Sequence, residues 1–355
     1  MSETSFWKRR WKLIVNIVTI VALVVLIFAV RHQLEDTVNN FSKVNVWVLL
    51  LLLPIEWLNY HAQAKLYGGL FDMVGNKLSY RFLFETSLEL NFVNSVFPSG
   101  GVSGISYFGM RMRSEREKIT GGRATLVQLM KLALLFLSFE ILLVIGLICL
   151  AFSGAVNNFV ILVAGSLSTL LVVGTVGFVM IIGHERRIQA TFTFFTNLLN
   201  RLILIVRKNH PETISMATAR SAVDELHSNY KLIEQHWSDL KVPFWWSFVA
   251  NVAEVGAVYI VYIAFGHWVN PGAVILAYSV ANFAGLISVL PGGVGIYEAL
   301  MTGVLVAAGV PAAISLPVTV MYRVLNMLIQ LPPGYYFYHR TLHGTGDKTQ
   351  AQPGI

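Results

Sequence analysis

Apolar runs at about 13–30, 46–66, 124–151, 157–183, 243–265 and 313–338 constrain this chain most. Each is near the ~20 residues that carry a helix across a bilayer. Lipid offers no hydrogen-bond partners, so a spanning run must satisfy its own backbone as a helix. Two more apolar segments, 82–114 and 272–309, are broken by Phe97-Pro98-Ser99-Gly100-Gly101 and Leu290-Pro291-Gly292-Gly293. Proline removes a helix hydrogen bond and glycine weakens a helix interior. Such breaks survive at membrane depth where they are buried in protein or line a cavity. The expectation is an all-α integral membrane protein with about six transmembrane helices plus two opposed re-entrant helical hairpins.

Composition supports the same class. Hydrophobic residues make up 55% of the 355 and charged residues 13%, against about 25% charged in soluble domains. Mean hydropathy is +0.63. The net charge of +7 does not imply nucleic acid, because the basic residues flank apolar runs instead of forming a soluble face. The first run is longer than a signal core, and Arg31-His32-Gln33-Leu34 is not a small-residue cleavage site. It reads as an uncleaved helix. Cys149, the single cysteine, reads as a packing residue.

Basic residues collect on the cytoplasmic side of membrane proteins. Lys8–Lys12, Lys65 with Arg81, Arg111–Arg123, Arg186 with Arg207, and Arg340 with Lys348 all fall on one side if each hairpin returns to its own face. This places both termini in the cytoplasm of a multi-pass protein of the cell (inner) membrane. The domain reading is a first membrane half at 1–183, a cytoplasmic amphipathic helical hairpin at 184–242, a second membrane half at 243–338 and a disordered tail at 339–355. Within the cytoplasmic piece, Met216, Ala219, Val223, Leu226, Tyr230, Ile233, Trp237 and Leu240 form a heptad seam. It reads either as the packed face of the hairpin or as a seam, 216–240, for a homodimer or a partner protein.

The hairpins also resemble each other. Asn91-Phe92 precedes the first break, Asn282-Phe283 the second, and Tyr107 and Tyr297 follow them. Inverted repeats with broken helices are a recurring transporter design, so an inverted repeat is expected.

Ionisable residues at membrane depth are functional candidates by default. Arg323 is the clearest, with Asn326 and Gln330 on the same helical face. Its planar fork suits phosphate or carboxylate, although a buried glutamate would serve it equally as a structural partner. Together with Ser99, Gly100 and Gly101 at the first break, and Pro291, Gly292, Gly293 and Gly295 at the second, these form a candidate lipid head-group set. Glycine lets a head group approach the backbone, and the helix after each break starts with unpaired N–H groups; close helix packing is the other use of such glycines. Glu254, Glu298, Lys131, Glu85 and Glu89 are candidates for gating or charge relay, with structural pairing the competing role for each. Glu56 and Glu140 are further acids inside apolar runs. The sequence contains no HExxH, GxSxG, Walker lysine motif or DxD pair, so no metal, cofactor or enzymatic activity is expected.

Leu290-Pro291-Gly292-Gly293-Val294-Gly295-Ile296-Tyr297-Glu298 resembles the Pro-Gly-Gly-x-Gly-x-x-Glu signature of the lysylphosphatidylglycerol synthase transmembrane, or flippase-like, family. Tyr322-Arg323 followed by Leu331-Pro332-Pro333-Gly334 is similar to that family's last helix, and 94–104 to its first polar break. The resemblance covers nearly the whole chain. It implies an inner-membrane protein that moves lipids between leaflets, here a stand-alone membrane domain without the aminoacyl transferase domain. It marks Pro291, Gly292, Gly293, Gly295, Glu298 and Arg323. Many relatives carry a Gly-Glu pair after the first break; Gly101-Val102-Ser103-Gly104 has no acid. The resulting expectation is translocation of an anionic phospholipid or a lipid-linked intermediate. A membrane glycosyltransferase or lipid-modifying enzyme and a non-transporting scaffold are the competing classes.

Overall fold

The computed structural model describes residues 18–97, 102–113, 119–194, 228–287 and 293–344, leaving aside positions 20, 23, 29, 30, 34, 41, 43, 185 and 192. The described residues form helices and turns, with no strand among them. After helical residues within 18–40 and a single turn at Val46–Leu49, the chain builds α1 (Leu52–Met73), α2 (Tyr80–Val96), α3 (Val102–Arg113), α4 (Gly121–Phe152) and α5 (Asn158–Ile182). Then come α6 (Lys241–Ala264), α7 (Pro271–Ile287), α8 (Ile296–Ala307) and α9 (Ala312–Gly344). Side-chain caps start several helices. Ser79 accepts from the Phe82 N–H, Thr120 from that of Arg123 and Asn157 from that of Val160.

Four helical stretches among the described residues are long and apolar enough to cross a membrane: Gly121–Phe152, Asn158–Ile182, Trp237–Ala264 and Ala312–Leu342. They answer to the expected spans 124–151, 157–183, 243–265 and 313–338. The expected span 46–66 differs. Pro54 has no N–H to give the Leu50 carbonyl, which is taken by Leu53 instead. The run therefore starts as a separate turn, and α1 continues to Met73. Much of the expected span 13–30 lies outside the described residues, and helix continues past its end to residue 40. The last helix reaches Gly344, so residues 339–344 do not belong to a disordered tail; Arg340 and Thr341 are tied to Glu85 and Glu89 of α2.

The two halves repeat helix for helix. α1 to α4 contain 22, 17, 12 and 32 residues; α6 to α9 contain 24, 17, 12 and 33. The packing repeats as well. α1 lies along α6. α2 packs on α9 as α7 packs on α4, and α2 on α3 as α7 on α8. α1 touches α4 as α6 touches α9. α1 and α6 also end alike, with the Asn76 N–H on the Phe71 carbonyl and the His267 N–H on the Tyr262 carbonyl. Gly75 and Gly266 supply the left-handed residue that this cap requires, at φ +80° and +76°. The two crossings between halves are both closed through glycine. A Cβ at Gly334 would lie 2.7 Å from Phe92 Cβ, and one at Gly272 would lie 2.1 Å from the Gly146 carbonyl oxygen.

The breaks themselves, at 98–101 and 288–292, lie outside the described residues, as does the seam from Met216 to Leu226. Downstream, Tyr230, Ile233 and Leu240 are buried with Ile182 and Ile188 in the core around Tyr67 and Phe108. Those three positions of the seam are covered by the chain's own bundle, whereas Trp237 is exposed.

The crossing of α9 over α2 gives a prediction. Gly334→Val should overpack the contact with Leu88 and Phe92 and cost about 1–3 kcal/mol, whereas Gly303→Val, with no atom within 4 Å of the added Cβ, should be tolerated. Melting temperatures in detergent check this; equal melting of the two variants would contradict the close approach.

Candidate functional site

α9 carries a polar stripe, Tyr322, Arg323, Asn326 and Gln330, which a helix places near one face. α1 turns Glu56, Asn59 and Gln63 toward it, α6 turns Glu254, and α2 turns Asn91 and Asn94. Between α2, α6, α7, α8 and α9 lies a cavity of about 280 Å³. Glu254, Tyr278, Asn282, Tyr297, Arg323 and Gln330 are among its lining residues.

One hydrogen-bonded network runs through these walls. Glu254 accepts from Asn59 on one oxygen, and from the Tyr278 and Tyr322 hydroxyls on the other at 3.2 and 3.1 Å. Tyr322 also accepts from Asn326 at 3.2 Å. Gln330 donates to Asn326 and, at 2.8 Å, to Glu56. Asn91 donates to both Gln330 and Tyr60. Among the described residues, neither Glu56 nor Glu254 has a lysine or arginine within 4.0 Å. Neutral amides and phenols hold these two acids instead.

Arg323 is held differently. Its guanidinium donates to Glu298 and stacks 4.7 Å from the Tyr297 ring centre. Glu298 also accepts from Gln33 at 2.9 Å and from the Gly295 N–H at 2.7 Å. Gly295 sits at φ +86° and Gly293 at φ +68°, where a Cβ is penalised by about 1–2 kcal/mol. The Pro-Gly-Gly-x-Gly-x-x-Glu stretch thus has a local reason. The glycines turn the chain into α8, and the glutamate three residues later caps that helix and reaches Arg323. The N-terminal end of α8 already holds a carboxylate, that of Glu298.

A second cavity, of about 130 Å³, lies between α1, α2, α3 and α4. Lys131 lines it and donates to the Tyr67 hydroxyl at 3.0 Å and the Gln63 amide oxygen at 3.3 Å. Gln63 in turn donates to Asn59 at 3.1 Å, which joins Lys131 to the network around Glu254. Asn91 and Asn94 border both cavities.

Of the head-group candidates, Arg323, Asn326 and Gln330 line the large cavity, and Gly293 and Gly295 shape the turn beside it. Ser99, Gly100, Gly101, Pro291 and Gly292 lie outside the described residues. Of the relay candidates, Glu254 lines the large cavity, Glu298 backs Arg323, and Lys131 lines the small cavity. Glu85 and Glu89 lie elsewhere, between α2 and the far end of α9. Glu85 pairs with Arg81 and Arg340; Glu89 accepts from Arg111, Tyr107 and Thr341 at 2.9, 2.9 and 2.7 Å. Glu140 accepts from Ser168 of α5.

Sequence reasoning missed Asn59, Gln63, Asn94, Tyr278 and Tyr322 as lining or wiring residues. It found Asn91 and Asn282 only as markers of the repeat. An asparagine recurring at the same place in two apolar segments was the available signal. Tyr322 stood out only as the neighbour of Arg323 in the family resemblance, and Tyr278 gave no signal, because a tyrosine in an apolar helix reads as packing.

A family model described as the lysylphosphatidylglycerol synthase TM region matches residues 13–334. A UPF0104 membrane protein of Methanothermobacter thermautotrophicus is 31% identical over 102 residues, 29% of this chain and 30% of that protein. A UPF0104 membrane protein of Pyrococcus horikoshii is 25% identical over 134 residues, 36% of this chain and 40% of that protein. The chain thus spans about a third of the length of these curated relatives.

The Arg323–Glu298 contact predicts strong coupling. Glu298→Gln keeps the cap on Gly295 but removes the carboxylate that pairs with the buried Arg323, at a cost of about 3–5 kcal/mol. The Glu298→Gln/Arg323→Gln double variant should recover most of that loss. Thermal unfolding of the two single variants and the double variant measures it, and strictly additive losses would refute the coupling.

Proposed function

We propose that this chain, which belongs to the family of the lysylphosphatidylglycerol synthase transmembrane region, carries the polar head group of a lipid between membrane leaflets while the acyl tails remain in hydrocarbon. The cargo on this reading is an anionic phospholipid or a lipid-linked intermediate, in the cell (inner) membrane. The observation that carries it is the polar cavity of about 280 Å³ lined by helices of both halves in a largely apolar bundle. A charged head group in hydrocarbon costs several kcal/mol or more. Amides, phenols and an arginine already oriented by one another replace its water.

The repeat supports the same reading. α2 and α3 pack side by side, as do α7 and α8, and at ~18–26 Å each helix is shorter than the ~30 Å of hydrocarbon. Read as re-entrant hairpins they return to their own faces. The chain then crosses at α1, α4 and α5 before α6 begins, so the two halves insert in opposite senses with both termini cytoplasmic. Opposed halves around one midplane site are the arrangement that alternating access uses. Arg323 already binds an oxyanion, the Glu298 carboxylate; a head-group phosphate would displace it. The cargo leaves chemically unchanged, so the activity is transport without catalysis.

Purified protein in vesicles carrying a fluorescent phosphatidylglycerol tests this. The wild type should bring inner-leaflet label within reach of an external quencher, with the lipid's mass unchanged. The Glu298→Gln/Arg323→Gln variant should slow that exchange by about tenfold or more. Exchange no faster than in protein-free vesicles, or a lipid of altered mass, would overturn the proposal.

A further inference from the structure

The repeat assigns a partner to Arg323. Arg323 lies eleven residues past Ala312, the start of α9, and Lys131 ten residues past Gly121, the start of α4. At 1.5 Å per residue both stand ~15 Å along their helices. Each lines a polar cavity, Arg323 the large one between the halves and Lys131 the small one within the first half. Their surroundings differ at one equivalent position. Glu298 is the third residue of α8, and the third residue of α3 is Gly104. The acid that neutralises Arg323 therefore has no equivalent beside Lys131.

The pocket around Lys131 bears this out. Its ammonium group bonds to neutral atoms of Tyr67 and Gln63, and lies 4.5 Å from the Tyr67 ring centre. Tyr67 in turn donates a hydrogen bond to the Gln128 amide oxygen at 3.2 Å. Among the described residues, no carboxylate lies within 4.0 Å of Lys131. Among the described residues the cavity lining contains no acid; its polar atoms come from Gln63, Tyr67, Asn91, Asn94, Gln128 and Lys131. A Cβ at position 104 would lie 2.1 Å from the Asn94 amide oxygen, so the bare glycine is what admits the Asn94 amide. A cation at membrane depth needs an anion or a polar cavity. Here the cavity is present, and lysine is a point-charge ligand for phosphate.

We propose that the Lys131 pocket is an oxyanion site that takes the phosphate of a lipid head group, with Gln63, Gln128 and the Asn94 amide as neutral ligands. It deepens the transport reading and rests on it for the source of the phosphate. Asn91, bonded to Gln330 and Tyr60, forms the wall shared with the Arg323 cavity. Asn94 lines the same wall.

Titration of the detergent-purified full chain with dihexanoyl-phosphatidylglycerol, and separately with inorganic phosphate, tests the site by microscale thermophoresis. Saturable binding of the short lipid is expected. Lys131→Ala should weaken it by about tenfold or more, and Lys131→Arg by less than about threefold. In the Glu298→Gln/Arg323→Gln variant, which removes the other oxyanion ligand, the Lys131-dependent part of the binding should persist. The Asn94→Ala/Gly104→Glu variant, which installs the missing acid, should lose binding as Lys131→Ala does. Equal affinity in wild type and Lys131→Ala would overturn the site. If the Glu298→Gln/Arg323→Gln variant then loses binding, the transport reading survives without it. Binding of phosphate but not of the short lipid, lost in Lys131→Ala, would support an oxyanion site and overturn its lipid source. Binding of neither probe by the wild type would overturn the site. Vesicle exchange then decides separately whether the transport reading stands.

Discussion

The carboxylate of Glu298 joins three parts of the fold that would otherwise be independent. It takes the first N–H of α8 at Gly295, the guanidinium of Arg323 from α9 and the amide of Gln33 from the N-terminal helical region. Burying an unpaired charge in this bundle would cost several kcal/mol, so each contact makes the others affordable. The break before α8 needs a partner for its backbone, Arg323 needs an anion, and one side chain supplies both. The left-handed glycines at 293 and 295 are the local condition for it. They bring the chain into α8 with the Gly295 N–H pointing at the third residue of the helix.

The walls of the large cavity follow a different rule. Glu56 and Glu254 are wired to amides and phenols that both donate and accept. Tyr322 donates to Glu254 and accepts from Asn326; Gln330 bridges Asn326, Glu56 and Asn91. Such groups can exchange partners without stranding a buried charge. This suits a passage better than a lattice of ion pairs would. The ion pairs of Glu85 and Glu89 with Arg340 and Arg111 instead pin α2 to the end of α9 and to α3, away from the cavity.

Much of the bundle was legible because hydropathy is a coarse signal that long apolar helices satisfy. α4, α5, α6 and α9 begin and end close to the expected runs. α1 was harder, since Glu56, Asn59, Gln63 and Lys65 face its neighbours and dilute its apolar character, while Pro54 moves its start. The end of α9 was illegible for a related reason. The expected run stops at residue 338, yet the helix continues to Gly344, held by contacts to Glu85 and Glu89 that span more than 250 residues of sequence. Arg323 stood out as a charge among apolar neighbours. Its partner Glu298 was visible as a motif residue, but that the two meet is a tertiary fact. Asn59, Tyr278 and Tyr322 acquire a role only once Glu254 is placed between them.

The repeat also explains why one half can differ from the other without disturbing the fold. A scaffold built from two matching halves needs both long helices and both short pairs, but it needs the acid of the third position only where an arginine must be neutralised. Arginine remains charged in any surroundings, so Arg323 without Glu298 would be a permanent defect. Lysine carries a compact charge that the Tyr67 ring, two neutral acceptors and a small polar cavity accommodate. Replacing the acid by Gly104 in the first half is therefore tolerable with lysine in a way it would not be with arginine. The same exchange leaves the two cavities chemically distinct: one is closed by its own carboxylate, while the other is lined by a cation and neutral amides.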